Sequence, residues 1–254
     1  MAWDPNKYLQ FESHRTRPVG ELLARVPLAA PSLVADLGCG PGNSTAVLAE
    51  RWPEARIIGI DNSSEMIERA RSAVPHAEWL LADISNWQPA QPVDVVFANA
   101  SLQWVPQPEA VLRRLFSFVA PGGAFAFQIP ANQEGPPHTL IDDALRELNL
   151  DRYIDRERLS RYVLSPRAYF RILASEAAAI DIWDTDYLQV LEGEDAVLSW
   201  VKGTALVPIL TNLSATDAER FLESLALRLR QAYPPEPGGG TLLPFRRRFV
   251  VAKR

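Results

Sequence analysis

Between residues 32 and 130, short apolar runs alternate with segments whose apolar positions recur at helical spacing. Five runs, 32–37, 56–60, 78–82, 94–98 and 124–129, are rich in aliphatic and β-branched residues and show little polar alternation. Each therefore reads as a strand buried on both faces of a parallel sheet, with the segments between them as crossover helices. One helix is expected over 43–52, stopped by Pro53. A second opens at Ser63, whose hydroxyl stands three residues before Met66 and suits a cap, and ends before Pro75. A third covers 108–119 and is closed by a turn at Pro121, Gly122 and Gly123.

Beyond Ile129 the rhythm changes. Residues 130–179 show helical periodicity around 140–148 and 166–173 and no clear strand, so this stretch reads as a helical insertion. A sixth strand is expected over 179–190, helices over 195–203 and 217–233, and a last strand over 247–252, entered through a Pro- and Gly-rich hairpin loop at 234–240. Two late strands close together predict a mixed sheet. The expected architecture is an α/β, Rossmann-like sheet, mostly parallel with an antiparallel terminal strand and flanked by helices. It forms a single domain over 1–254, with a core at 32–130, a helical insertion or lid at 131–178 and C-terminal strands and helices at 179–254.

Composition narrows the functional classes. At 254 residues and 47% apolar content, the chain can bury a sizeable core. A formal charge of -5 offers no global attraction to nucleic acid or anionic lipid, so neither is an expected partner. The first eleven residues mix Trp3, Asp4, Lys7 and Tyr8 without an apolar centre, and no run approaches the roughly 20 residues that span a bilayer. A lone cysteine, Cys39, permits no internal disulfide, and with the absence of a leader this predicts a soluble cytoplasmic chain. His14, His76 and His138 are scattered without ligand spacing, so no metal is expected. Lysine occurs only at Lys7, Lys202 and Lys253, and arginine, which suits planar carboxylates, supplies the other cations.

The strongest chemical signal is Asp36-Leu37-Gly38-Cys39-Gly40-Pro41-Gly42, where the first strand should turn into the first helix. Glycines at this spacing let backbone approach a ligand at the carboxyl edge of the sheet. The dinucleotide fingerprint G-x-G-x-x-G would place its last glycine at Asn43. Asp61 ends the second strand nineteen positions beyond Gly42, where a carboxylate accepts hydrogen bonds from ribose hydroxyls. That role serves nicotinamide and S-adenosyl cofactors alike. A nicotinamide-dependent oxidoreductase and a non-catalytic cofactor-binding protein therefore stay open at this point.

Asp83-Ile84 after the third strand, Asn99-Ala100 after the fourth and Pro121-Gly122-Gly123 before the fifth complete a series that resembles the class I S-adenosylmethionine-dependent methyltransferases across 32–130. The resemblance implies that Gly38, Gly40 and Gly42 cradle the methionine portion of S-adenosylmethionine, with S-adenosylhomocysteine as product. It further implies that Asp36 positions the glycine loop, that Asp61 with neighbouring Asn62 binds the ribose, and that Asp83 bonds the adenine amino group with Ile84 on the ring. Asn99 and Ala100 would contact the methionine moiety and Trp104 would shield the sulfonium. Tyr8 and Arg15, in a covering segment over 1–20, would reach the cofactor's carboxylate.

The segments 3–11, 15–18, 98–105, 180–185, 200–204 and 243–251 are similar to bacterial trans-aconitate methyltransferases, extending the resemblance over nearly the whole chain. That family implies methylation of one carboxylate of a small tricarboxylic acid to a monomethyl ester. Another small or carrier-bound acid is the alternative within the class. A carboxylate is already ionised near neutral pH, so no general base is expected. Candidates to orient the acid are Lys202, Tyr187, Arg161, Tyr162, Tyr153, Arg246, Gln103 and Trp104, with Trp200 as a wall beside Lys202.

Overall fold

The computed structural model describes residues 12–133, 135–154, 162–203 and 205–254, with side chains from Arg17 onward. Tyr8 and Arg161, and the side chain of Arg15, lie outside the described residues. The chain divides into two compact units, one of residues 13–130, 161–185 and 247–254, the other of 1–12, 131–160 and 186–246. The expected insertion at 131–178 is thus shared between them.

In the first unit, β1 (Leu33–Leu37), β2 (Arg56–Asp61), β3 (Glu78–Leu81), β4 (Val93–Asn99) and β5 (Val119–Pro130) alternate with helices. After α1 (Glu12–Leu23) these are α2 (Asn43–Arg51), α3 (Ser64–Ala73), α4 (Pro108–Ser117) and, following β5, α6 (Pro166–Leu173). The strand order is β3-β2-β1-β4-β5-β7-β6, where β6 is Ala179–Leu191 and β7 is Thr241–Lys253. Pairs among β1 to β5 are parallel and β7 joins β5 antiparallel, so the sheet is the mixed, Rossmann-like one expected. The carboxyl ends of β1, β2 and β4 come together beside the switch in strand order, where open α/β sheets bind ligands.

Burial explains the lack of alternation in the central strands. Every residue of β1 is buried, as are Val95, Val96, Phe97 and Ala98 of β4, and Val96 and Ala98 share one apolar core with Phe125 and Phe127 of β5. β3 departs from the expectation of strands buried on both faces: Leu80 is 41% and Leu81 55% exposed. It is an edge strand, with only β2 beside it among the described residues. Ser63 caps α3 as its spacing predicts, its hydroxyl accepting from the Met66 amide at 3.4 Å.

Two turn expectations are corrected. Pro121-Gly122-Gly123 does not close α4, which ends at Ser117, but bulges out of β5. Between successive paired positions β4 advances from Val93 to Val95 while β5 advances from Val119 to Ala124. Gly122 takes φ 81, and a Cβ on Gly123 would fall 2.5 Å from the Asp94 carbonyl oxygen, so both glycines serve the bulge. Residues 234–240 form no hairpin, because they join a helix, α9 (Ala215–Ala232), to β7. β7 also begins six residues earlier than expected, at Thr241.

The second unit holds α5 (Pro136–Glu147), α7 (Ala196–Lys202), the four-residue α8 (Val207–Leu210), which periodicity did not reveal, and α9. Ile141 and Leu145 of α5, Trp200 of α7, Phe221, Leu225 and Leu229 of α9, and Leu243 and Phe245 of β7 form its core. Ser214 caps α9 by accepting from the Asp217 amide at 3.1 Å. Among the described residues, no helix is long and apolar enough to cross a membrane.

Candidate active site

The glycine loop starts where β1 ends and hands the chain to α2. Gly38, Gly40 and Gly42 take φ 67, 56 and 96, conformations that other residues adopt only under strain. The amides of Gly38 and Cys39 both donate to the Ile60 carbonyl, at 2.7 and 3.0 Å, which anchors the loop to the end of β2. A Cβ on Gly42 would meet Ala70 and Trp79 at 3.3 Å, whereas a Cβ on Gly40 would meet nothing within 4 Å among the described residues. Gly42 is therefore needed for packing, while no described residue crowds Gly40. Burial pushes the Cys39 thiol far above its ordinary range and leaves it inert.

Two carboxylates hold this loop. Asp36 is fully buried, and its Oδ2 accepts from the Ser44 and Thr45 hydroxyls, each at 2.7 Å. Desolvation pushes its carboxyl up to about 6, the two hydroxyls pull it down, and nearby Asp61 raises it. Asp36 Oδ1 is buried without a hydrogen-bond partner among the described residues. Asp61 accepts from the Gly40 amide on Oδ2 and from the Ser63 amide on Oδ1, both at 2.9 Å. Each of its oxygens keeps a second acceptor direction.

The turn after β4 closes the other side. Ala100 sits at φ 55 and donates to the Gln128 carbonyl at 2.9 Å, and the Ser101 hydroxyl donates to the Leu37 carbonyl at 2.6 Å. Asn99 is half-buried and its Oδ1 accepts from Gln128 Nε2. Gln103, 3% exposed, donates to the Ala100 carbonyl at 2.7 Å, and its Oε1 has no partner among the described residues. Trp104 next to it is 51% exposed. The Tyr162 amide donates to the Gln103 carbonyl at 2.7 Å, which brings that expected residue to the same turn.

Asp83 and Asn62 are exposed. Asp83 Oδ1 accepts from the Ser85 amide and hydroxyl at 2.8 and 2.6 Å. Ile84, only 9% exposed, is mainly a core residue, and Arg114 holds this loop by donating to the Ile84 and Trp87 carbonyls.

The residues expected to orient an acid fare unevenly. In the second unit, Tyr187 is buried, Lys202 is half-buried at the last turn of α7, and Tyr153 is 48% exposed with Arg152 4.8 Å over its ring. Arg246 is exposed and makes a bidentate pair with Asp186, both contacts at 2.7 Å, so its charge already has a carboxylate. Trp200, expected as a wall beside Lys202, packs with its ring centroid 5.8 Å from that of Phe245 in the apolar core of this unit. Sequence reasoning missed the roles of Ser44, Thr45 and Ser101, although all three stand beside quoted motifs. It also missed Arg114 and Gln128, for which no local signal existed, and the alternation of Arg246, Arg247 and Arg248 did not single out Arg247.

Together, the topology and the loop define a class I S-adenosylmethionine-dependent methyltransferase. A family model described as a methyltransferase domain matches residues 34–123. The chain is 47% identical to trans-aconitate 2-methyltransferase of Streptomyces avermitilis, over 100% of this chain and 97% of that one. It is 45% identical to the Escherichia coli (strain K12 / DH10B) protein of the same name, over 99% of this chain and 98% of the other. The crystal structure of the YcgJ protein from Bacillus subtilis superimposes with TM-score 0.63 at 14% identity, covering 95% of this chain and 98% of that one. The chain belongs to the trans-aconitate 2-methyltransferase family.

Proposed function

We propose that this chain methylates one carboxylate of trans-aconitate, or of a closely related small tricarboxylic acid, to a monomethyl ester with S-adenosylmethionine as donor. For the acid, the support is identity at the level of 47% across the full length of a relative bearing that activity in its name. For the donor, it is the buried, unpartnered Oδ1 of Asp36 beneath an open glycine loop. A cationic ammonium or sulfonium suits such an oxygen, and a pyrophosphate does not. Gly40, with no atom of the described residues within 4 Å of its Cβ position, leaves room among them for the donor to lie against backbone.

In this reading Asp61 binds the two ribose hydroxyls through its free acceptor directions, while its existing bonds keep Gly40 and Ser63 in place. Asp83 takes the adenine amino group, and the exposed ring of Trp104 faces the sulfonium. When bound, the donor supplies a sulfonium methyl: a carboxylate oxygen forms a bond to the methyl carbon while the carbon–sulfur bond breaks, and its electron pair stays on sulfur. No proton moves, so the chain needs no general base. Its work is to align oxygen and methyl and to exclude water. Lys202 and Tyr187 are assigned to the acid, as a cation and a hydroxyl donor.

Methyl transfer from labelled S-adenosylmethionine tests this reading, with trans-aconitate, cis-aconitate, citrate, isocitrate and malonate at equal low concentration. Preferential labelling of trans-aconitate is expected. Turnover of another acid would keep the reaction and discard the substrate, and no turnover of any would overturn both.

A further inference from the structure

Three side chains form a hydrogen-bonded row at the carboxyl ends of β4 and β5. Arg247, 6% exposed, donates from Nη1 to Oε1 of Gln128 at 3.0 Å, and Gln128, fully buried, donates from Nε2 to Oδ1 of Asn99. Strand register explains the row: Asn99 pairs with Gln128, and Arg247 lies on the adjoining strand opposite Pro130, diagonal to Gln128. The neighbouring arginines point to the other face. Arg246 pairs with Asp186, and Arg248 pairs with Asp184 through two contacts at 2.8 Å.

This row has a direction. A guanidinium carries donors only, so the end of the Gln128 amide that meets Arg247 must be its oxygen. The amide nitrogen then faces Asn99, which receives it on Oδ1. What Asn99 has left is its Nδ2 amide, a pure donor. Asn99 is half-buried, next to Ala100 and Ser101, and Ser101 touches the glycine loop where a Cβ on Gly38 would fall 2.3 Å from Ser101 Cβ. The donor therefore stands at the mouth of the proposed cofactor site. Turned toward an ammonium or a sulfonium, it would be repulsive; turned toward a carboxylate, it is complementary.

We propose that Arg247, acting through Gln128, holds Asn99 as a fixed donor to a carboxylate oxygen in the active site. Arg247 and Gln128 are then positioning residues, and Asn99 is the residue that touches the ligand. The carboxylate belongs either to the acid being methylated or to the amino-acid end of the cofactor. This inference rests on the methyl-transfer reading above and deepens it by naming a group that recognises an anion there.

Gln128→Glu reverses the row while preserving its size. The new carboxylate accepts from Arg247 but cannot donate to Asn99, so Asn99 must turn its nitrogen inward and show its oxygen to the site. Titration calorimetry on the full chain reads S-adenosylhomocysteine first. It then reads trans-aconitate added to that complex, or whichever acid of the panel the wild-type chain turns over, so failure of the substrate reading shows separately in the wild type. The expected result is an approximately 100-fold loss of affinity for one of the two ligands, the size of a lost hydrogen bond to a charged group, with the other within about threefold. If the acid is the one affected, its KM rises and kcat at saturation is largely kept. Asn99→Asp, which also presents an acceptor, should reproduce the loss should Gln128→Glu fold poorly. Arg247→Lys, which keeps a donor to Gln128, should stay within about tenfold of wild type where Arg247→Met does not. Unchanged affinity for both ligands in a folded variant, or equal loss of both, would overturn the proposal.

Discussion

Gly38 and Ser101 approach so closely that a Cβ on Gly38 would fall 2.3 Å from Ser101 Cβ, while the Ser101 hydroxyl is pinned to the Leu37 carbonyl at 2.6 Å. The two turns that build the site therefore brace each other, and neither can move without the other. Gly38→Ala adds this overlap to the strain of φ 67, itself worth about 1–3 kcal/mol. A fall in Tm of several degrees is expected, together with loss of S-adenosylhomocysteine binding. Gly40→Ala makes the contrast. Its φ of 56 brings strain but no clash with the described residues, so Tm should fall less, while the new methyl intrudes where the cofactor is proposed to lie. Wild-type affinity in Gly40→Ala would place the cofactor elsewhere.

Asp61→Ala removes the acceptor for the Gly40 and Ser63 amides as well as the proposed ribose contact. Loss of a charged hydrogen-bonding group at this position should raise the S-adenosylhomocysteine Kd by on the order of 100-fold. At saturating donor, KM for the acid should change little. Steady-state kinetics at two donor concentrations separate the two effects, and an equal change in both constants would contradict the assignment.

Much of this site was legible because its signals are local. Positive φ at Gly38, Gly40 and Gly42, the Ser63 cap and the terminal position of Asp61 all follow from residues within one turn of the feature they create. What stayed hidden depends on register between distant segments. Arg246, Arg247 and Arg248 must alternate along a strand, but only the pairing with Asp184 and Asp186 decides that Arg247 is the one turned inward. Pro121-Gly122-Gly123 reads as a turn in isolation and becomes a bulge because Val93 and Val95 bracket it from the neighbouring strand. Leu80 and Leu81 look like core residues until β3 is placed at the edge.

The Asp36 carboxyl, raised by burial to about 6 from 3.8, gives the chain a defined acid response. Between those two values the folded state holds a proton that the unfolded state has lost, so this group stabilises the fold at low pH and loses that contribution as pH rises toward 6. A shift of this size corresponds to about 3 kcal/mol of relative stability. In Asp36→Asn that slope should disappear between pH 4 and 6 in denaturant titrations. Cofactor binding should run the other way. An ammonium or sulfonium beside Oδ1 favours the ionised form, so S-adenosylhomocysteine affinity should weaken as pH falls below about 6 in wild type and be uniformly weak in Asp36→Asn. A flat wild-type profile would mean that Asp36 does not sense the ligand.

Lys202 and Arg246 offer a direct comparison of two cations that residue type alone cannot separate. Arg246 is exposed and already satisfied by Asp186, and an exposed pair of this kind contributes about 0–1 kcal/mol. Arg246→Ala should therefore leave Tm within a few degrees and the KM for the acid within about twofold. Lys202 is half-buried at the end of α7. If it binds a carboxylate of the acid, Lys202→Ala removes a charge-assisted contact worth about 1.5–3 kcal/mol, and KM should rise roughly ten- to hundredfold with the donor Kd unchanged. Lys202→Arg should restore only part of this, because a planar fork replaces a point charge. A larger KM effect from Arg246→Ala than from Lys202→Ala would reverse the assignment and show that Asp186 releases its partner to the substrate.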